Sequence, residues 1–167
     1  MTEHAPAPTI PEVRREVTVD VPIDRAFDVF TRRLDAWWPH DTHHIGPMPA
    51  IAVVEPRVDG RCYSLAEDGT QTDWGRVLVF EPPHRLQFAW MLTPDWQYEP
   101  DVARASDVTV TFTAVSPSQT VVTLIHAGFE RYGDAVAGAA MRDHVDSEGG
   151  WGTLVGLYAA CATRLEA

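Results

Sequence analysis

The densest grouping of chemically capable side chains lies in residues 36–47, AWWPHDTHHIGP, which hold Trp37, Trp38, His40, Asp41, His43 and His44. Three imidazoles can hold a catalytic zinc, and histidines spaced i, i+3 and i+4 share a face when helical. Pro39 before them and Gly46-Pro47 after them oppose a regular helix, and no second ligand cluster accompanies them. Three readings remain: a metal site, a surface loop, or the rim of a pocket with one histidine turned inward. No metal is assigned.

Elsewhere the chemistry is sparse. His126 stands among apolar residues in TVVTLIHAGF, placed either as a core histidine bonded to the backbone or as a polar anchor or acid/base. Tyr63 and Tyr158 are candidate phenolic donors. Glu67 and Asp68 flank Gly69 in a turn, where acids serve turn geometry, so no paired-carboxylate mechanism is built on them. The chain contains no G-x-S-x-G, phosphate-binding loop, dinucleotide fingerprint or H-E-x-x-H, and no cofactor is expected. Cys62 and Cys161 form no C-x-x-C and are expected to be free, small apolar residues.

These groups must be positioned by a chain of 167 residues, the length of one domain. A tail over residues 1–12 and one domain over 13–167 are expected. Composition is 45% hydrophobic and 22% charged with a net charge of −11, a globular profile. The negative charge argues against nucleic acid or an anionic membrane as partner. No apolar run reaches the length of a membrane span. The opening MTEHAPAPTIPE has neither a cationic segment nor an apolar stretch, so a cytoplasmic address is expected.

Residues 14–20 alternate as a first strand. Ile23, Ala26, Phe27, Phe30, Leu34, Trp37 and Trp38 then recur every three or four residues, predicting a helix over about 23–38 that could break near Arg33. Strands follow at 50–56, 60–66, 74–81, 86–92, 107–115 and 120–129, joined by short turns as an antiparallel meander. In the 107–115 strand, Val108, Val110, Phe112 and Ala114 are expected on one side. Residues 93–106 read as a long polar loop holding Trp96, a lid or surface residue. A shorter helix is expected around 134–144. The last helix begins near SEGGW, with Trp151, Leu154, Val155, Tyr158, Cys161, Ala162 and Leu165 on one face. The layout is α+β.

This order, with VPIDRAFDVFT, WWP, EPRVDGRCY, EDGTQTDWGRVLVFEPPHRLQFAW, SDVTVTFTAV, TVVTLIHAGF and GGWGTLVGLY, resembles the SRPBCC (START/Bet v 1-like) superfamily over about residues 14–165. Within it the chain is similar to the AHSA1-like branch, named after the activator of Hsp90 ATPase. The resemblance implies a helix-grip fold: a curved antiparallel sheet wrapped around a long C-terminal helix, with two short helices after the first strand. It also implies a cavity between sheet and helix for an apolar or aromatic small molecule. Strand alternation and the helix face nominate Trp38, Cys62, Trp74, Phe88, Trp90, Phe112, His126, Trp151, Val155 and Tyr158 as ligand-facing, with His43 and His44 at the mouth. The family has a bulkier residue where Cys62 stands, which would enlarge the cavity there.

Three functions compete. The first is binding of an apolar or aromatic ligand by a monomer or homodimer that carries, sequesters or senses it. The second is a cofactor-independent enzyme of the cyclase or hydrolase kind, with His126, His43 or His44 as acid/base. The third, from the branch name alone, is a chaperone-interacting protein. Changing both His43 and His44 to alanine is expected to leave the metal content unchanged by mass spectrometry. A stoichiometric metal that disappears in the variant would restore the metal reading.

Overall fold

The computed structural model describes residues 10–39 and 50–164. The histidines His40, His43 and His44, most of the expected N-terminal tail, and Leu165 lie outside the described residues. Seven strands form one sheet: β1 Val13–Val19, β2 Ala50–Val54, β3 Arg61–Ala66, β4 Gln71–Glu81, β5 Arg85–Trp90, β6 Ser106–Ser116 and β7 Gln119–Ala127. All pairs are antiparallel, in the order β1-β7-β6-β5-β4-β3-β2. The meander expected from the short turns is present, and β1 closes it by pairing with β7. With α1 Ile23–Thr31, α2 Ala135–Asp146 and α3 Trp151–Arg164, this is the helix-grip fold.

Alternation drives burial on the inner strands. Thr120, Val122, Leu124 and His126 of β7 are buried and their neighbours are not, as period-two geometry requires. On β6 the inward series Val108, Val110, Phe112 holds. Ala114 departs from it and is exposed. A register shift between Ala114 and Ser116 marks where the ladder irregularity breaks the alternation.

The predicted 23–38 helix is divided. Helix α1 ends at Thr31, the Arg33 N–H reaches back to the Asp28 carbonyl at 3.1 Å, and a 3-10 turn over Leu34–Ala36 follows. The division leaves the apolar stripe intact: Phe27, Phe30, Leu34, Trp37 and Trp38 are all buried. At the other end, the Tyr158 hydroxyl of α3 donates to the Ala26 carbonyl of α1 at 2.7 Å. Burial pushes that phenol's pKa up, so it stays protonated and serves as a structural tie.

Helices α2 and α3 form one bent C-terminal arm. Asp134 caps α2 by accepting from the Val136 N–H at 2.8 Å, and Ser147 Oγ donates to the His144 carbonyl at 2.6 Å at its end. The bend needs Gly150, because a Cβ there would sit 2.0 Å from the Val145 carbonyl oxygen. Gly149 next to it has nothing within 4 Å of such a Cβ. Gly150→Ala is therefore expected to cost roughly 1–3 kcal/mol by forced displacement of the bend, and Gly149→Ala less than about 0.5 kcal/mol. Urea denaturation of the two variants checks this; equal losses would refute the assignment of the bend to Gly150.

Candidate functional site

Each wall of the site is built by a local feature of the chain. On β4, Cys62 of β3 faces Gly75 while Tyr63 faces Asp73, so Trp74 is the extra residue of a β-bulge. Bulges re-aim a side chain, and here both Trp74 and the adjacent Gly75 are buried. Gly75 allows β5 to approach, since a Cβ would meet the Ala89 carbonyl at 2.5 Å. A second irregularity between Val77 and Val79 releases Leu78, which packs with Ala89, Met91 and Ala105 in a separate small cluster.

Trp74 joins three other indoles. It stacks on Trp38 with centroids 6.0 Å apart and planes within 10°. It meets Trp90 at 5.9 Å, Trp90 meets Trp151 at 5.7 Å, and Trp151 returns to Trp38 at 6.2 Å. The four form a closed ring of contacts, contributed by the residues after the 3-10 turn, by β4, by β5 and by the first turn of α3. They border a cavity of about 440 Å³ whose wall also includes Ser64, Leu92 and Leu154, within the size range of small-molecule sites.

The mouth carries Trp96 and His144. Thr93 N–H donates to the Gln97 carbonyl at 2.9 Å and Trp96 N–H to the Thr93 carbonyl at 2.8 Å, a tight turn with Trp96 near its tip. Trp96 has φ +61°, a left-handed conformation uncommon for a bulky residue, and is 42% exposed. Its ring lies 5.4 Å from that of His144 on α2, and both border the cavity. Strain of this kind persists where surrounding structure over-determines it.

The other half of the interior is filled. Phe27 contacts Phe112 at 5.1 Å, Phe30 contacts Tyr158 at 5.1 Å, and Trp37 contacts Tyr158 at 5.5 Å. Trp37 also donates its N–H to the Val29 carbonyl at 3.0 Å. Of the nominated residues, Trp38, Trp74, Trp90 and Trp151 therefore border the cavity. Phe112 and Tyr158 belong to this packed cluster, Phe88 lies behind Trp74 at 5.9 Å, and Val155 is buried core. Cys62 packs against Gly75, whose added Cβ would be 3.4 Å from its Sγ; it stands off the cavity wall. Burial raises the Cys62 thiol pKa well above its ordinary value, so it is neither thiolate nor nucleophile.

His126 is behind the wall, fully buried, and engaged at both nitrogens. Trp151 Nε1 donates to His126 Nδ1 at 2.9 Å. His126 Nε2 lies 2.8 Å from Ser106 Oγ, Ser106 Oγ lies 3.0 Å from the Tyr132 hydroxyl, and that hydroxyl donates to the Leu92 carbonyl at 3.0 Å. The ends fix every proton. A carbonyl only accepts, so Tyr132 spends its proton there and must accept from Ser106, which in turn accepts from His126 Nε2–H. An indole only donates, which leaves Nδ1 as acceptor. His126 is thus the neutral Nε2–H tautomer, held there by burial that pushes its pKa from 6.5 down to about 3.

Leu92, His144, Val145 and Ser147 on the wall were not among the sequence nominations, and Trp96, expected as a lid or surface residue, borders the cavity with them. Val145 carried a weak signal, lying four residues after Met141 on the buried face of α2. Trp96 and His144 meet only through tertiary folding. No group of three or more histidine, cysteine, aspartate or glutamate side chains fit to hold a metal occurs among the described residues.

The model of the family described as activator of Hsp90 ATPase homolog 1-like protein matches residues 20–156. The chain belongs to this family. Among solved structures it is 35% identical to one titled an anthrahydroquino-Gama-pyrone synthase Txn09 complexed with SUM, with a TM-score of 0.62, covering 92% of this chain and 97% of that one. It is 26% identical to CalC from Micromonospora echinospora, a self-sacrificing resistance protein, with a TM-score of 0.62 and coverage of 94% and 97%. Protein MLL2253 from Mesorhizobium loti, 19% identical with a TM-score of 0.64 over 94% and 100% of the chains, shares the fold. No curated protein matches the chain. The family and these neighbours support a ligand-binding SRPBCC fold, and no helix among the described residues is long and apolar enough to cross a membrane.

The buried His126 makes stability depend on pH. Below pH 6.5 the unfolded chain gains a proton on this residue, whereas the folded chain stays neutral until about pH 3. Its stabilising contribution is therefore complete above the unfolded pKa and falls as pH drops, by about 1.4 kcal/mol per pH unit. His126→Gln is expected to lose roughly 1–3 kcal/mol at neutral pH through the unpaired partners and to show a flatter acid limb. Urea denaturation between about pH 6 and pH 4 measures both, and an unchanged slope in the variant would exclude His126 as its source.

Proposed function

We propose that the protein binds a planar apolar or aromatic small molecule between the sheet and the C-terminal arm, as a carrier, a sequestering protein or a sensor. The observation that carries this reading is the closed ring of Trp38, Trp74, Trp90 and Trp151 beside a 440 Å³ cavity. Indoles offer large flat apolar area at small entropic cost and pair with other rings offset or edge-on. Beside the ring of indoles, Phe27, Phe30, Trp37, Phe112 and Tyr158 are joined by ring contacts. The similarity to an anthrahydroquino-Gama-pyrone synthase supports a polycyclic aromatic as ligand.

A second reading, a cofactor-independent enzyme of the cyclase kind, draws on the 35% identical relative being titled a synthase. His126 is poorly suited to its acid/base step, since it offers neither a free lone pair nor an unshared proton. Among the described residues the imidazole that borders the cavity is His144, and in this reading the proton transfers fall to it.

A panel of planar aromatics, screened by thermal shift and by quenching of tryptophan fluorescence, tests the binding reading. Trp74→Leu is expected to weaken the best binder about tenfold, from lost ring contact worth about 1–1.5 kcal/mol. Phe112→Leu, in the packed half, should leave affinity within about twofold. Absence of binding across the panel, or equal losses in the two variants, would overturn the proposal.

A further inference from the structure

The indole N–H groups near the cavity are not equally satisfied. Trp37 donates to the Val29 carbonyl and Trp151 to His126 Nδ1. Trp90 Nε1 has less than 1 Å² open to solvent and no hydrogen-bond partner, and Trp90 as a whole is 6% exposed. Among the described residues it is the one buried side-chain nitrogen or oxygen left in this state. Buried donors are almost always paired, and an exception in a native fold calls for a reason.

The surroundings explain why the protein itself does not supply the acceptor. Trp90 is flanked by Trp74 at 5.9 Å, Trp151 at 5.7 Å and His126 at 5.4 Å. The indoles have no lone pair to give. His126 Nδ1 is taken by Trp151, and its Nε2 carries the proton that runs to Ser106. Trp90 also borders the cavity.

We infer that Trp90 is the polar anchor of the cavity, and that the ligand is a flat aromatic ketone or quinone whose carbonyl oxygen accepts its N–H. The inference rests on the binding reading above and narrows it to one chemical class. Charge favours a neutral acceptor over a carboxylate: the net charge is −11, and no lysine or arginine is among the described residues of the cavity wall. A carboxylate would enter that wall with no lysine or arginine among its described residues, at high desolvation cost, whereas a ketone brings only the acceptor that Trp90 lacks. Since the nitrogen is sealed from water, the ligand reaches it by parting the edge contacts within the ring.

Fluorenone and fluorene, which share a flat tricyclic frame and differ by one carbonyl, test this in dilute dimethyl sulfoxide by fluorescence quenching. Fluorenone is expected to bind about tenfold more tightly than fluorene, and Trp90→Phe to bring the ratio of the two affinities, measured within the variant, close to one. The wild-type protein supplies a readout independent of the variant's folding. The indole N–H cross-peak of Trp90, assigned by contacts to the Trp74 and His126 rings, should move downfield with fluorenone and not with fluorene. Equal binding of both compounds, or a Trp90 cross-peak indifferent to fluorenone, overturns the assignment of the anchor while leaving a binding cavity. Failure of both compounds to bind overturns the anchor and counts against the binding reading itself.

Discussion

The hydrogen bond from Trp151 Nε1 to His126 Nδ1 joins the first residue of α3 to the last turn-ward buried residue of β7. Both partners are almost fully buried, so its loss would strand a donor and an acceptor away from water. It also orients one indole of the ring and, by fixing the histidine tautomer, sets the direction of the protons through Ser106 and Tyr132 to the Leu92 carbonyl. The chain of bonds thus begins and ends on residues of the cavity wall. Helix position, two inner strands and the wall are held by one uninterrupted set of satisfied polar groups.

Around that tie the interior is divided by what α1 and its continuation carry. Phe27, Phe30 and Trp37 are joined to Phe112 and Tyr158 by ring contacts. Next to this cluster, Trp38, Trp74, Trp90 and Trp151 border open volume. The bulge at Trp74 supplies a fourth indole on a strand whose alternation alone would not have placed Trp74 and Gly75 both inside. A bulge stretches and twists the strand locally, so the same irregularity that curves the sheet furnishes the wall.

The filled half and the open half follow different chemistry. The filled half satisfies its polar atoms: Trp37 and Tyr158 donate to backbone carbonyls of α1. The open half retains a donor without an acceptor at Trp90, and its mouth holds a residue in an unfavourable backbone conformation at Trp96. Departures from local consistency tend to gather where a protein does its work, and here both fall on the wall of one cavity.

Much of this was legible in the residues. Period-two alternation from Thr120 to His126 and the i, i+3, i+4 stripe from Trp151 to Ala162 specify strand and helix faces, because a wrong face would expose several large apolar groups at once. The short turns fix antiparallel order, and the expected 23–38 stripe survived the break in the helix since burial, not continuity, is what the stripe encodes. Which of the inward residues touch open space was not legible. Phe112 and Trp90 both lie on buried strand faces, and only the position of α1 makes one a packing residue and the other a wall residue. Likewise the pairing of Trp96 with His144, the direction of the protons at His126 and the stranded N–H of Trp90 depend on distances between segments far apart in sequence. Alternation and helical period are local properties of the chain, whereas a cavity is the volume that distant side chains fail to fill.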